Sequence, residues 1–324
     1  MDSTLAHLPQ PPAGKTGWPW TQESSTQSTP AAAANEWPRI SIVTPSYNQG
    51  DYIEATIRSV LLQNYPNLEY FIMDGGSDDQ TVDIIRRYEP WVTQWVSEPD
   101  RGQSHAINKG LDQGTGVIFA WLNSDDMLLP DALWRVAEAY QKYPQAAAWA
   151  GTCHLIRPNG RIIKSEVPRG LTREGLADWF YGGFFFQPSC FFSAPAWQAI
   201  HGVDESLNFA MDVDLAIRLA EQGEYVKLPE ALSAAIIHDE AKTQALRPEM
   251  HAEIMYVQIK YGYDKLAFKR LRELLEATAE QERRRSRLSV RLKRMVRRVI
   301  PKQGRDVQYV QTLTPTQLSN QANG

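Results

Sequence analysis

The 324-residue sequence has few cysteines and no long apolar segment. Its two cysteines, Cys153 and Cys190, do not have the spacing of a zinc site, which argues against a disulfide-rich or zinc-stabilised domain and fits a reducing compartment. No apolar run approaches the roughly 18 to 20 residues that a membrane-spanning helix needs. The first residues lack the charged-then-apolar pattern of a signal peptide, so we expect a cytoplasmic protein.

Two common nucleotide-binding signatures are also missing. No G-x-G-x-x-G sequence follows the first apolar segment, and no G-x-x-x-x-G-K-[S/T] sequence occurs. The first absence argues against a Rossmann dinucleotide site, and the second argues against a P-loop. A nucleotide site in this chain would have to be built from other residues.

The net charge of −4 hides a strongly basic segment near the C-terminus. Residues 283–302 contain ten Lys or Arg residues and no Asp or Glu. Apolar residues recur there at helical spacing, at Leu288, Leu292, Met295, Val296 and Val299. This pattern is typical of a helix that lies on an anionic membrane surface, and a solvated helix or an RNA-binding arm is the alternative. We expect peripheral association with the inner face of the cell membrane and no nucleic-acid partner.

Composition and periodicity divide the chain into four segments. Residues 1–38 are rich in Pro, Ser, Thr, Gln and Ala and lack an apolar period, which predicts disorder. Residues 39–245 form the predicted globular domain, residues 246–303 a helical extension ending in the basic helix, and residues 304–324 a disordered tail. The aromatic residues of the first segment that could dock elsewhere are Trp18, Trp20 and Trp37.

Apolar segments and amphipathic segments alternate in the first half of the globular domain. The segments 40–44, 68–73, 93–96 and 117–122 predict strands, and those between them have the spacing of core-facing helices. This alternation indicates an α/β fold with a Rossmann-like, mostly parallel sheet flanked by helices.

The second half is more mixed. We expect a hairpin around residues 158–160, a helix over 212–222, a strand over 225–228 and mostly helix over 249–300.

Polar clusters follow three of the four predicted strands, at residues 44–47, 74–78 and 123–126. Because the carboxyl ends of parallel strands meet at one sheet edge, the clusters would line one crevice. Tyr47 could stack on a nucleotide base, and Asp74 could accept a hydrogen bond from a base N–H. The alternative is three ordinary turns between strands and helices.

Asp125 and Asp126 are adjacent carboxylates at the end of a buried strand. Two such carboxylates repel each other unless a cation lies beside them. Mg²⁺ and Mn²⁺ prefer hard oxygen ligands. The pair therefore predicts a divalent metal that also holds a diphosphate, with a polar turn as the alternative.

Three further positions each have a functional and an ordinary interpretation. Arg101 precedes a helix whose first N–H groups could hold phosphate, or it belongs to a capped loop. Asp212 and Asp214 lie where the helix dipole favours acids, and one of them could be a general base. His238 follows an apolar run, which is more typical of a packed or surface histidine than of a ligand.

Four sequence motifs together resemble family 2 glycosyltransferases. They are residues 41–48, 74–81, 101–110 and 122–126, with a looser likeness at 212–215 and His238. The resemblance implies a GT-A fold and inverting transfer of a sugar from a nucleoside diphosphate donor, with a UDP-sugar favoured. The acceptor would be a sugar or a lipid-linked molecule in surface polysaccharide or glycolipid assembly. Alternatives are a nucleotidyltransferase and a non-catalytic protein that binds sugar nucleotides.

The resemblance also assigns roles to individual residues. The donor-binding set is Thr44, Pro45, Ser46, Tyr47, Asp74, Gly75, Ser77, Arg101, Gln103, Ser104 and Asp125. Asp126 and His238 would hold Mn²⁺ or Mg²⁺, since residues 124–126 match the family's DXD element with Ser in its first position. Asp212 would be the general base. Gln187 and Met211 would face the acceptor, and Met211 stands where family members usually have Glu.

Overall fold

The computed structural model describes residues 4–24, 37–237 and 248–299, with side chains up to residue 285. The chain divides into two compact units, residues 1–269 and residues 270–324. The site described below lies entirely in the first unit.

The described residues contain nine strands, which form one sheet in the order β3-β2-β1-β4-β8-β6-β9-β5, with β7 paired to β6. The strands are β1 (Ile40–Ser46), β2 (Leu68–Asp74), β3 (Gln94–Ser97), β4 (Ile118–Trp121), β5 (Asp126–Leu128), β6 (Ala148–Ile156), β7 (Ile162–Glu166), β8 (Cys190–Ser193) and β9 (Tyr225–Ile236). The helices are α1 (Thr4–His7), α2 (Ile53–Leu61), α3 (Thr81–Tyr88), α4 (Gln103–Leu111), α5 (Ala132–Lys142), α6 (Arg173–Ala177), α7 (Ala194–Ala199), α8 (Met211–Gln222), α9 (Pro248–Lys260) and α10 (Asp264–Val299).

The α/β class is confirmed, and the first four strands are parallel as predicted. β1 pairs in parallel with β2 and β4, and β2 pairs in parallel with β3. Beyond β4 the sheet is mixed, because β8 runs antiparallel to both β4 and β6 while β6 is parallel to β9. The parallel part brings the ends of β1, β2 and β4 to one edge of the sheet.

Two apolar layers cover the sheet, one on each face. Alternate residues of a strand point to opposite faces, so Ile40 and Ile42 pack with α2, α3 and α5, whereas Val43 packs with α4 and α8. The predicted apolar stripe of α2 is buried as expected, from Ile53 through Leu61.

Strand β9 is much longer than the predicted strand over residues 225–228. It continues past Pro229 to Ile236, although proline cannot donate to a strand ladder. The register between β6 and β9 shifts between Ala150 and Thr152, which accommodates the proline. The sequence also gave no signal for β5, which is a short strand held antiparallel to β9.

The N-terminal segment differs from the expectation of disorder. Within the predicted 1–38 segment, residues 4–24 pack as part of the first unit, and the side chain of Leu8 is buried. The indole Nε1 of Trp18 donates to the carbonyl oxygen of Leu128 over 2.8 Å. The disorder predicted for residues 25–36 and 304–324 falls on residues outside the described part of the chain.

The physical reason for this packing is a buried cation on α2. Arg58 is fully buried, and its guanidinium donates to three main-chain carbonyls of the N-terminal segment, over 2.8 to 2.9 Å, those of Pro9, Pro19 and Trp20. A buried guanidinium needs acceptors, and these carbonyls supply them. Composition alone cannot show such a pairing.

The C-terminal helices agree with the predicted helical content over residues 249–300, but the domain boundary differs. α9 packs in the first unit through Ile254 and Val257, so that unit extends past the expected end at residue 245. α10 continues to Val299, and the side chains of the predicted membrane stripe lie outside the described residues. None of the helices described has both the length and the apolar character needed to cross a membrane.

Candidate functional site

A cleft of about 730 Å³ opens where β1, β2 and β4 end and where α8 begins. The predicted site residues that line it are Pro45, Ser46, Tyr47, Gly75, Gln103, Asp125, Asp126, Gln187, Met211 and Asp212. Among the residues described, the predicted positions that do not line it are Thr44, Asp74, Ser77, Arg101 and Ser104. His238 lies outside the described part of the chain.

The end of β1 forms one wall of the cleft. The ring of Tyr47 is 63% exposed, so its face is accessible to a planar group. Thr44, three residues earlier, is fully buried, and its hydroxyl is hydrogen-bonded to the hydroxyl of Tyr70. The side chain of Thr44 therefore supports the strand from inside the core, and a donor contact at this position stays a prediction.

Asp74 stabilises the loop that follows β2 and does not line the cleft. Its carboxylate accepts from the N–H groups of Gly76 and Ser77 and from the hydroxyls of Ser77 and Ser97, over 2.5 to 3.1 Å. A carboxylate has about four acceptor positions, so these donors occupy it. A contact of Asp74 or Ser77 with a base stays a prediction.

Asp100 occupies the neighbouring part of the wall, and the sequence analysis missed it. A Cβ atom added at Gly75 would lie 3.0 Å from Asp100 Oδ2, so any other residue here would require the Asp100 carboxylate to shift. The signal was available, because Asp100 directly precedes the Arg101 motif that had been singled out.

The start of α4 contributes Gln103 to the cleft, whereas its neighbours serve other contacts. Gln103 Nε2 donates to Asn123 Oδ1 over 2.7 Å. Arg101 does not line the cleft and pairs with Glu205. Its Nη2 atom lies 2.7 Å from Glu205 Oε2. The guanidinium thus has a carboxylate partner in this structure, and its phosphate contact stays a prediction.

Ser104 links the two sides of the site. Its buried hydroxyl lies 2.9 Å from the sulfur of Met211 and 3.4 Å from the carbonyl oxygen of Leu207. This hydroxyl joins the first turn of α4 to the first turn of α8, and its contact with a donor stays a prediction.

Asp125 and Asp126 lie together on the cleft wall at the start of β5. The pKa of Asp126 is raised well above its usual value, first by burial and then by the neighbouring charge of Asp125. Thr56 of α2 fixes this turn, because its hydroxyl lies 2.9 Å from the carbonyl oxygen of Ser124 and 2.7 Å from that of Asp126. A cation beside the two carboxylates would relieve their repulsion.

The donor set of this pair fits a hard divalent ion, although it is incomplete in the described residues. Within residues 4–24, 37–237 and 248–285, no group of three or more His, Cys, Asp or Glu side chains is arranged to hold a metal. Carboxylates commonly bind Mg²⁺ together with substrate phosphates and water, so two protein ligands are a workable number.

The structure separates the two acids of α8. Asp212 lines the cleft, and burial raises its pKa to about 6. Asp214 is fully buried on the other side and accepts from Arg218, Lys260 and Tyr261 over 2.7 to 2.9 Å. Of these two acids of α8, only Asp212 lines the cleft.

The far wall of the cleft is aromatic. Trp179 packs edge-on against Phe184 and Phe185, with ring centroids 5.3 and 5.4 Å apart. Gln187 is the polar residue beside them: its Nε2 donates to the carbonyl oxygen of Trp121, and its Oε1 has no hydrogen-bond partner within the described residues. Gln187 was expected on the acceptor side, but nothing in the sequence pointed to Trp179.

Comparison with protein-family models gives one match. The model described as Glycosyl transferase family 2 matches residues 41–194. An uncharacterized glycosyltransferase of Mycobacterium tuberculosis is 30% identical over 189 residues, which are 56% of this chain and 69% of that protein.

Longer relatives match over part of their length. Chondroitin synthase of Escherichia coli is 27% identical over 249 residues, which are 73% of this chain and 36% of the synthase. Hyaluronan synthase of Pasteurella multocida is 29% identical over 209 residues, 63% of this chain and 21% of the synthase. The chain thus spans about a third or a fifth of the length of these enzymes.

Among solved structures, residues 1–349 of Staphylococcus aureus TarS are similar to this chain. The TM-score is 0.53 at 19% identity, over 68% of this chain and 64% of that one. At this identity the likeness concerns the fold, which agrees with the predicted GT-A architecture.

Proposed function

Since the chain belongs to glycosyltransferase family 2, we propose that it transfers a sugar from a nucleoside diphosphate sugar to an acceptor hydroxyl, with inversion at the transferred carbon. The observation that carries the proposal is the composition of one cleft. Its walls combine the end of β1, the Asp125–Asp126 pair and Asp212, a half-buried acid with a raised pKa. Together these groups would bind a base, a diphosphate and an attacking hydroxyl.

We assign the donor to the wall formed by β1, β4 and α4. Tyr47 would stack on the base, while Ser46, Gly75 and Gln103 would contact the ribose and diphosphate. A TarS structure that shares this fold contains UDP-GlcNAc. That fold-level analogy favours a UDP-sugar as donor here.

We assign a divalent metal, Mn²⁺ or Mg²⁺, to Asp126 with Asp125 beside it. The raised pKa of Asp126 supports this, because burial and repulsion both disfavour its charge until a cation is present. Bound there, the metal would supply Lewis-acid stabilisation of the leaving diphosphate. The role of His238 as a further ligand stays a prediction.

Asp212 would act as the general base. Its carboxylate would take the proton of the acceptor hydroxyl as that oxygen attacks the sugar carbon from the face opposite the diphosphate. A single base suffices, because inversion requires no covalent intermediate. The aromatic wall around Phe184 and the Gln187 amide would position the acceptor and exclude water.

We further propose that the protein acts in surface polysaccharide or glycolipid assembly, held at the inner face of the membrane by residues 283–302. Two of its relatives are named as polysaccharide synthases, which supports the setting. The membrane contact rests on the ten basic residues and the apolar spacing of that segment.

The first test is calorimetric titration of the full chain with UDP, GDP, dTDP and CDP, each with and without Mn²⁺. We expect binding of one nucleotide that depends on the metal. Release of UDP from a panel of UDP-sugars then tests turnover. Absence of binding to all four nucleotides would overturn the donor site. Release of pyrophosphate from a nucleoside triphosphate incubated with a sugar phosphate would indicate a nucleotidyltransferase. Binding without turnover, unaffected by Asp212→Asn, would indicate a non-catalytic binding protein.

A further inference from the structure

Glu253 of α9 makes an unusual contact with the beginning of α8. Its carboxylate accepts hydrogen bonds from three consecutive main-chain N–H groups, those of Asn208, Phe209 and Ala210, with N–O distances between 2.6 and 3.1 Å. These residues directly precede Met211 and Asp212. Asn208 and Phe209 also line the cleft.

This contact holds the main chain just before the first turn of α8. The first N–H groups of a helix have no partners within it and are usually satisfied by the side chain of the N-cap residue. The N-cap residue of α8 is Ala210, whose side chain makes no capping hydrogen bond. Glu253, from a different helix, accepts instead from the N–H of Ala210 and of the two residues before it, with a charged group that strengthens each bond.

A second contact holds α8 to α9 just beyond the base. Asp214 accepts from Lys260 and Tyr261, which lie at and just after the end of α9. Asp212 therefore lies between two points at which α8 is tied to α9, residues 208–210 on one side and Asp214 on the other. The main chain that carries the base is held on both sides.

We propose that Glu253 is a positioning residue for Asp212 and for the Asn208–Phe209 part of the acceptor-side wall. The inference rests on the proposed function, because it assumes that Asp212 acts on an acceptor. Glu253 does not line the cleft itself and would act only through the main chain of residues 208–210.

The test compares three variants of the full chain. Glu253→Ala removes all acceptors, and Glu253→Gln keeps the shape but loses the charge. The matched control is Glu249→Ala, because Glu249 is exposed on the same helix. The probes are UDP with Mn²⁺ for binding and, for turnover, the UDP-sugar from which the wild-type protein releases UDP fastest.

We expect Glu253→Ala to lower kcat about 10-fold to 100-fold, the cost of a slightly misplaced catalytic group. The KM for the donor and the affinity for UDP should not change, since the donor is assigned to the opposite wall. Glu253→Gln should recover part of the rate, and Glu249→Ala should behave as wild type. A loss of UDP affinity equal to the loss of kcat would mean general unfolding and overturn the inference.

Hydrogen exchange gives a second readout that does not depend on activity. The N–H groups of residues 208–210 should exchange slowly in the wild-type protein and faster in Glu253→Ala, with core strand β1 unchanged. If their exchange is the same in both proteins, Glu253 does not hold this segment and the inference fails. If the wild-type protein releases no UDP while the exchange difference is present, the proposed function fails and the structural contact stands.

Discussion

At the scale of single residues, the raised pKa of Asp212 predicts how activity depends on pH. A general base must be ionised, and the pKa of this carboxyl is about 6 because burial disfavours its charge. We expect kcat/KM to be constant above pH 6 and to fall about tenfold per pH unit below it, as the base becomes protonated. The Asp212→Asn variant should bind UDP normally and should have no activity. The fall of kcat/KM below pH 6 should therefore disappear with it.

The measurement is a pH–rate profile of UDP release for the wild-type protein beside UDP titrations of both proteins. A rate that stays constant well below pH 6 would rule out Asp212 as the titrating base. Near-normal turnover in the Asn variant would rule it out as the base altogether.

Asp126 gives a second prediction at this scale. Asp126→Asn keeps the shape of the side chain and removes one of two repelling charges, so the protein should fold. We expect the Mn²⁺-dependent part of UDP affinity to fall about 10-fold or more, by analogy with lost ligand support at metal sites. Calorimetry with UDP and Mn²⁺ measures this, and Asp83→Asn, an exposed acid on α3, is the control. If the UDP affinities of the Asp126→Asn and Asp83→Asn variants depend equally on Mn²⁺, Asp126 is not a metal ligand.

Local sequence could name Asp212 and Asp214 but could not choose between them. Two residues apart on a helix, they point about 200° away from each other, so one of them faces inward. Lys260, which lies 46 residues later, pairs with Asp214 and so distinguishes Asp214 from the acid that lines the cleft. The pairing of Arg101 with Glu205 was not visible in the local sequence for the same reason, since Glu205 is distant along the chain.

At the scale of elements, the N-terminal segment predicts a stability effect. Arg58→Met keeps the apolar stem and leaves buried carbonyls without their donor. An unsatisfied buried polar group costs about 1–3 kcal/mol, and we expect a loss of that order in the free energy of unfolding. Urea denaturation measures it.

The control for this prediction is Arg86→Met on α3, where the arginine is largely exposed and makes only a local ion pair. That variant should differ from wild type by no more than about 0.5 kcal/mol. If Arg58→Met is as stable as Arg86→Met, the docking of residues 4–24 contributes nothing measurable.

Elements with a strong local period were predictable, and elements held by distant partners were not. β1, α2 and α4 each have a clear apolar pattern and lie close to their expected positions. β5 is three residues long and exists because β9 pairs with it, and β9 extends past a proline because β6 offers a register shift. Neither partner is visible in a short window of sequence.

At the scale of the whole molecule, the uneven charge predicts where the protein is found. Removing residues 283–324 deletes the ten basic residues of the segment 283–302. We expect the full chain to co-sediment with vesicles that contain phosphatidylserine and the truncated chain to stay in solution, with UDP binding unchanged. Neutral phosphatidylcholine vesicles and high salt are the controls, because salt screens this attraction. Sedimentation of the truncated chain with anionic vesicles would refute the proposed membrane contact.

The hydrogen bond between Ser104 and Met211 couples changes in donor specificity to changes in acceptor specificity. Through it the helix assigned to the donor and the helix that carries the base share one buried contact. A mutation that reshapes position 211 for a new acceptor would leave the Ser104 hydroxyl without this partner and disturb Gln103 beside it. Divergence in this lineage should therefore proceed through paired substitutions at 104 and 211, and a double-mutant cycle on UDP affinity would reveal the coupling as non-additive effects.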